Sequence, residues 1–275
     1  MLRIVVVFAC WSALWPFPAM SAEADATTCP QQGGRTVPRE HFHLYLLIGQ
    51  SNMAGRGKMS EDDRRPAAGV YSFDANGKWV PAAHPLHFDK PSMAGVGLGI
   101  DFAMAMRREH PEATIGLIPC AFGGTRLNQW EKGDELYENA VQRAKLAERC
   151  GVLKGVLWHQ GESDSTPELA PTYGKRLAEM FASLRADLGD ENLPIVVGEV
   201  GRFRTQLPTP TINAQLNAIT KELPRVGCAS SEELTHNGDS THFDAPSLKQ
   251  FGLRYAEQMI ECQRQPVAAT KAAAQ

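Results

Sequence analysis

Three residue types that together make an alcohol reactive occur in short, ordered blocks: a serine at position 51, and an aspartate and a histidine three residues apart at Asp239 and His242. An unassisted serine hydroxyl is a poor nucleophile and needs a base to take its proton. His242 is the candidate base for Ser51, and Asp239 stands near enough to hold the imidazole and stabilise the imidazolium that forms. Taken singly, Ser51 reads as a helix N-cap and Asp239 as a turn former; the joint arrangement is what points to chemistry. Attack on an ester carbonyl also creates an oxyanion, and that charge must meet donors already aimed at it. The candidate donors are the backbone N–H groups of Ser51 and Gly124 and a side-chain amide from Asn52 or Gln160. The adjacent Gly123 and Gly124 allow the close backbone approach that such a donor requires.

Other residues in the same blocks have plainer readings beside the chemical ones. Glu162 either orients His242 in place of Asp239 or braces the loop, and bracing is preferred. Arg56 and Arg126 offer guanidinium groups to a substrate hydroxyl or carboxylate, and Trp130 and Trp158 offer apolar faces to a ring. Trp158 ends a strand and reads as core. Gly57-Lys58 is not the end of a phosphate loop, because Asn52 stands where the first glycine is needed and Met59 follows the lysine. A Gly-x-Ser-x-Gly elbow fails at Met53. His84, His87 and Asp89 lie in a proline-flanked loop and read as solvated rather than as metal ligands.

These residues need elements to position them. Apolar runs rich in β-branched residues recur at 43–49, 114–119, 153–159, 194–200 and, more weakly, near Val226, and they read as buried strands. Between most of them lie amphipathic stretches at 98–109, 134–149, 171–188, 211–223 and 245–262 that read as helices. The alternation predicts an α/β fold, a five-stranded parallel sheet with helices on both faces. In such a sheet ligands bind outside the carboxyl ends of the strands, where the candidate blocks fall. Residues 55–97 carry prolines and glycines without a sustained period and are expected to form a functional loop over the site. No internal repeat or boundary divides residues 40–264, which are expected to form one domain.

The chain has 275 residues, of which 43% are hydrophobic and 21% charged, with a net charge of −3. That composition excludes collagenous, coiled-coil and disordered chains, and it lacks the basic excess that a nucleic-acid partner requires. Arg3, the apolar stretch from Ile4 to Phe17 and the small residues that follow predict a signal peptide over 1–22, which implies a secreted or periplasmic protein with no membrane partner once it is removed. The stretch is too short, and too interrupted by Pro16 and Pro18, for a membrane anchor. Residues 265–275, alanine-rich, are expected to be a frayed tail. Five cysteines remain beyond the signal, enough for two disulfides at most, and the pairing cannot be read from their spacing.

At four blocks the sequence resembles the SGNH hydrolases, and more closely the sialate O-acetylesterase and acetylxylan esterase group, carbohydrate esterase family six. The blocks run from Leu46 to Gly57, Ile115 to Thr125, Val156 to Asp164 and Asp239 to Asp244. The resemblance implies a flavodoxin-like three-layer α/β/α sandwich and removal of O-acetyl groups from carbohydrate through an acyl-serine intermediate, with neither metal nor organic cofactor. It makes Ser51 the nucleophile, His242 the base and Asp239 its orienting acid. Gly124 matches the oxyanion glycine, while Gln160 stands near the position where the superfamily carries asparagine. A carboxylate clamp would favour sialic acid substrates, and its absence neutral acetylated xylan. The alternative is a catalytically silent carbohydrate-binding protein on the same scaffold, because a fold does not determine its function.

Overall fold

A computed structural model describes residues 28–205 and 208–266. The expected signal peptide and all but the first two residues of the expected tail lie outside them. The described residues form nine strands and six helices, among them the five strands and five helices anticipated from the apolar periodicity, in the expected order. A hairpin of β1 (Gln31–Gln32) and β2 (Arg35–Thr36) precedes β3 (Phe42–Gly49), whose eight residues are all buried. The short helix α1 (Ser51–Ala54) follows directly, then β4 (Val70–Phe73), β5 (Trp79–Pro81), α2 (Gly99–Glu109) and β6 (Thr114–Pro119). The remainder runs α3 (Glu135–Ala147), β7 (Val152–His159), α4 (Tyr173–Leu188), β8 (Ile195–Gly198), α5 (Thr209–Glu222), β9 (Val226–Ala229) and α6 (Ala245–Arg264).

The main sheet has the order β5-β4-β6-β3-β7-β8-β9. It has seven strands, not five. The five expected strands are all present and parallel, with β3 between β6 and β7. The two additions come from the segment read as loop: β4 pairs parallel with β6, and β5 returns antiparallel along β4. They are four and three residues long, too short to show a period. Tertiary packing holds them, since the Trp79 ring meets Phe42 at 4.7 Å and Phe73 at 4.9 Å between centroids.

Two apolar clusters lie on the two faces of this sheet. One joins α3, α4 and α5 to the sheet through residues such as Tyr137, Leu177, Phe181 and Leu216. The other joins α2 and α6 through Phe102, Met106, Phe251 and Met259. The chain leaves β3 toward β6 on one side and resumes at β7 on the other, so a crevice opens at the carboxyl end of β3.

Cys29 and Cys150 form a disulfide that ties the hairpin before residue 40 to the turn entering β7. Cys120, Cys228 and Cys262 are free thiols, and burial pushes Cys228 up to about 12 and Cys262 up to about 11, far from thiolate reactivity at neutral pH.

Candidate active site

Gly49 ends β3 with φ of +126°, and a Cβ there would sit 2.1 Å from the His159 carbonyl oxygen. Only glycine fits. The chain therefore turns tightly against β7, with the Gln50 N–H donating to that same carbonyl at 2.8 Å, and delivers Ser51 to the crevice. From the far end of the sequence, the loop before α6 brings His242 to it. Ser51 Oγ donates to His242 Nε2 at 2.9 Å, and His242 Nδ1 donates to Asp239 Oδ2 at 2.6 Å. The other oxygen of Asp239 accepts the N–H groups of Thr241 and His242, each at 2.8 Å. Burial works to raise the Asp239 carboxyl, and these hydrogen bonds outweigh it and hold the group below the ordinary carboxylate range. The three side chains can thus pass a proton from the hydroxyl to the imidazole while an anion faces the far side of the ring.

A cavity of about 330 Å³ opens over the hydroxyl and is lined by Gln50, Ser51, Gly124, Lys90, Arg204 and His242 among others. Gly124 has φ of +85°, which favours glycine, and an added Cβ would meet only Lys90 Nζ, at 3.8 Å. The N–H groups of Ser51 and Gly124 carry no hydrogen bond to a described residue. The side-chain amides expected beside them are in a different situation. Gln160 Nε2 donates to Asp164 Oδ2, the Thr125 carbonyl and Gln50 Oε1, and Asn52 Nδ2 donates to Glu162 Oε1 and the Thr241 carbonyl. Both side chains are fully buried, and neither lines the cavity. Gln50, unremarked in the sequence, does line it, and its own Nε2 meets no acceptor among the described residues.

Glu162 approaches Asn52 and, at 3.4 Å, His159 Nε2 rather than His242. Burial works to raise its carboxyl; the His159 imidazole and the Asn52 amide outweigh that, so it stays ionised well below the ordinary carboxylate range. Arg56 is not an open clamp: its Nη2 is paired with Asp89 at 2.6 Å, both side chains are almost wholly buried, and Asp89 also accepts the Gly123 N–H at 2.8 Å. Arg126 is exposed, lies outside the cavity lining, and donates its backbone N–H to Gln129. Trp130 is 1% exposed, packs edge-on against Trp158 and gives its Nε1–H to Thr125 Oγ1, so it offers no face to a ligand. His84 and His87 are buried rather than solvated, and burial drives both imidazoles down to about 4. Among the described residues no cluster suited to a metal ion occurs.

The model of one protein family, described as carbohydrate esterase, sialic acid-specific acetylesterase, matches residues 41–261. The chain belongs to this family. As a member it is an ester hydrolase of the carbohydrate O-acetylesterase class. A probable carbohydrate esterase of Arabidopsis thaliana is 34% identical over 237 residues, covering 78% of this chain and 88% of the relative. The crystal structure of an Arabidopsis thaliana protein superposes with a TM-score of 0.74 at 31% identity, over 82% of this chain and 98% of the other. NanS superposes with a TM-score of 0.67 at 16% identity, over 83% and 99%, and a carbohydrate acetylesterase from Xanthomonas citri with 0.64 at 20%, over 80% and 56%. At those identities the last two speak for the fold alone.

Proposed function

We propose that the chain removes O-acetyl groups from carboxylate-bearing sugars through an acyl-enzyme on Ser51. The observation that carries this reading is the continuous contact from Ser51 Oγ through His242 to Asp239. As Oγ attacks the acetyl carbonyl, its proton moves to His242 Nε2, and the oxyanion takes the N–H groups of Ser51 and Gly124, with the Gln50 amide as a third donor. The carbon–oxygen bond to the sugar then breaks, and the same proton passes to the departing hydroxyl. Water then attacks the acetyl-serine with His242 again as base, the bond from the carbonyl carbon to Oγ breaks, His242 returns the proton to Oγ, and acetate is released.

Charge supports an acidic sugar. Lys90 and Arg204 line the cavity, and neither is within ion-pair distance of a carboxylate among the described residues. Arg204 donates to Thr241 Oγ1 at 3.1 Å, while its Nε is buried without a partner. Glu162 also reaches the cavity wall, with Oε1 held by Asn52 and near His159 and Oε2 without a hydrogen-bond partner, but it is one carboxylate against these two cations. The balance of charge on the wall is therefore positive, and a guanidinium and an ammonium suit a carboxylate better than a neutral pentose. A secreted or periplasmic location remains part of the proposal, supported by the Cys29–Cys150 bridge, which suits an oxidising compartment.

The test measures release of acetate from acetylated sialosides and acetylated xylan, with a chromogenic acetate as control. Ser51→Ala should abolish turnover of all three. Lys90→Ala with Arg204→Ala should lower kcat/KM on the sialosides on the order of tenfold or more while sparing the control. Undiminished turnover by Ser51→Ala would refute the acyl-serine mechanism, and equal loss on xylan and sialosides would refute the acidic preference.

A further inference from the structure

Asn52 touches the backbone on both sides of His242. Its Nδ2 donates to the Thr241 carbonyl at 3.1 Å, and its Oδ1 accepts the Phe243 N–H at 3.1 Å. Those residues immediately precede and follow His242, and Asn52 itself is joined by one peptide bond to Ser51. Asp239 fixes the imidazole within its own loop, since its partners are Thr241 and His242. It does not fix that loop relative to Ser51. The Asn52 side chain does, because it links the peptide after the serine to the two peptides that flank the histidine.

The direction of the Asn52 amide is set from below. Its second Nδ2 hydrogen goes to Glu162 Oε1 at 2.5 Å, and an ionised carboxylate can only accept. Glu162 therefore holds Nδ2 on the side of Thr241 and leaves Oδ1 for the Phe243 N–H. Every polar atom of a fully buried side chain is then used, with no rotation that keeps all three bonds. We infer that Asn52, oriented by Glu162, is a positioning residue that holds the His242 loop in register with Ser51.

The kinetic arm of this inference rests on the acyl-serine reading; its structural arm does not. Asn52→Ala should lower kcat on the order of 10²-fold, the scale of a misplacement near 1 Å, with KM little changed. In crystals of that variant, the contact between Ser51 Oγ and His242 Nε2 should open from 2.9 Å to beyond hydrogen-bond reach. Asn52→Asp keeps the shape, should Asn52→Ala not fold, but sets two carboxylates against each other. Its activity relative to wild type should rise as pH falls and the pair gains a proton, a change that simple loss of packing does not produce. Adding Glu162→Gln to Asn52→Asp reverses donor and acceptor across the contact and should recover at least tenfold of the loss. A wild-type kcat in Asn52→Ala, an unmoved His242 in its crystal, or strictly additive losses in the double variant would each overturn the inference. Undiminished turnover by Ser51→Ala would instead strike the acyl-serine reading, and the position of His242 in the Asn52→Ala crystal would still decide this one.

Discussion

At the scale of single residues, the division of labour between Asp239 and Glu162 follows from where each carboxylate finds its hydrogen-bond donors. Asp239 receives the imidazole of His242; Glu162 receives Asn52 and lies beside His159. Asp239→Asn removes the anion that stabilises the imidazolium and favours the wrong tautomer. We expect turnover to fall on the order of 10³ to 10⁴ with the thermal midpoint little changed. A dead but folded Glu162→Gln beside an unaffected Asp239→Asn would exchange the two assignments. Because the Asp239 carboxyl is held low, it stays ionised through the range in which an imidazole titrates. The base must be neutral to accept a proton, so kcat/KM should decline toward acid pH, and a flat profile from pH 5 to 8 would contradict the role given to His242.

At the scale of elements, residues 55–97 do two things that a simple loop would not. The β4–β5 hairpin extends the sheet, and the stretch after it carries Lys90 to the wall of the cavity and Asp89 to the buried Arg56. Asp89 pairs with Arg56, directly after α1, and takes the N–H of Gly123, so one carboxylate ties the nucleophile turn to the oxyanion loop. Both members of that pair are buried, and loss of one partner leaves the other charge uncompensated. Asp89→Ala should cost about 3 to 5 kcal/mol in denaturant unfolding and lower kcat as Gly124 loses its support. An unchanged unfolding midpoint would mean that solvent reaches Arg56 in a way its burial excludes.

At the scale of the whole molecule, the parallel sheet separates stability from chemistry. The Cys29–Cys150 bridge lies at the amino end of β7, whereas Ser51 follows the carboxyl end of β3 and His159 closes the carboxyl end of β7. Replacing both cysteines by serine should lower unfolding free energy by about 2 to 4 kcal/mol and leave turnover at 25 °C unaltered. Turnover lost along with stability would show that the bridge shapes the site. The amino-acid sequence by itself determined the five parallel strands, most of the helices and the three residues that meet at the site. Strand and helix periodicities are written over a few residues, and Asp239 and His242 lie within one turn of chain. The remaining features were decided by tertiary structure alone. Whether Asn52 is free to bind an oxyanion depends on Glu162, 110 positions away, and Phe243, 191 positions away, and whether Gln160 is free depends in part on Gln50, 110 positions away, and Thr125, 35 positions away. Whether Arg56 or Trp130 can reach a substrate depends on Asp89 and Trp158 in the same manner. The cysteine pairing and the two short edge strands are likewise products of packing. A buried polar group is committed to whichever partner the fold brings within about 3 Å, and no local pattern in the chain encodes that distance.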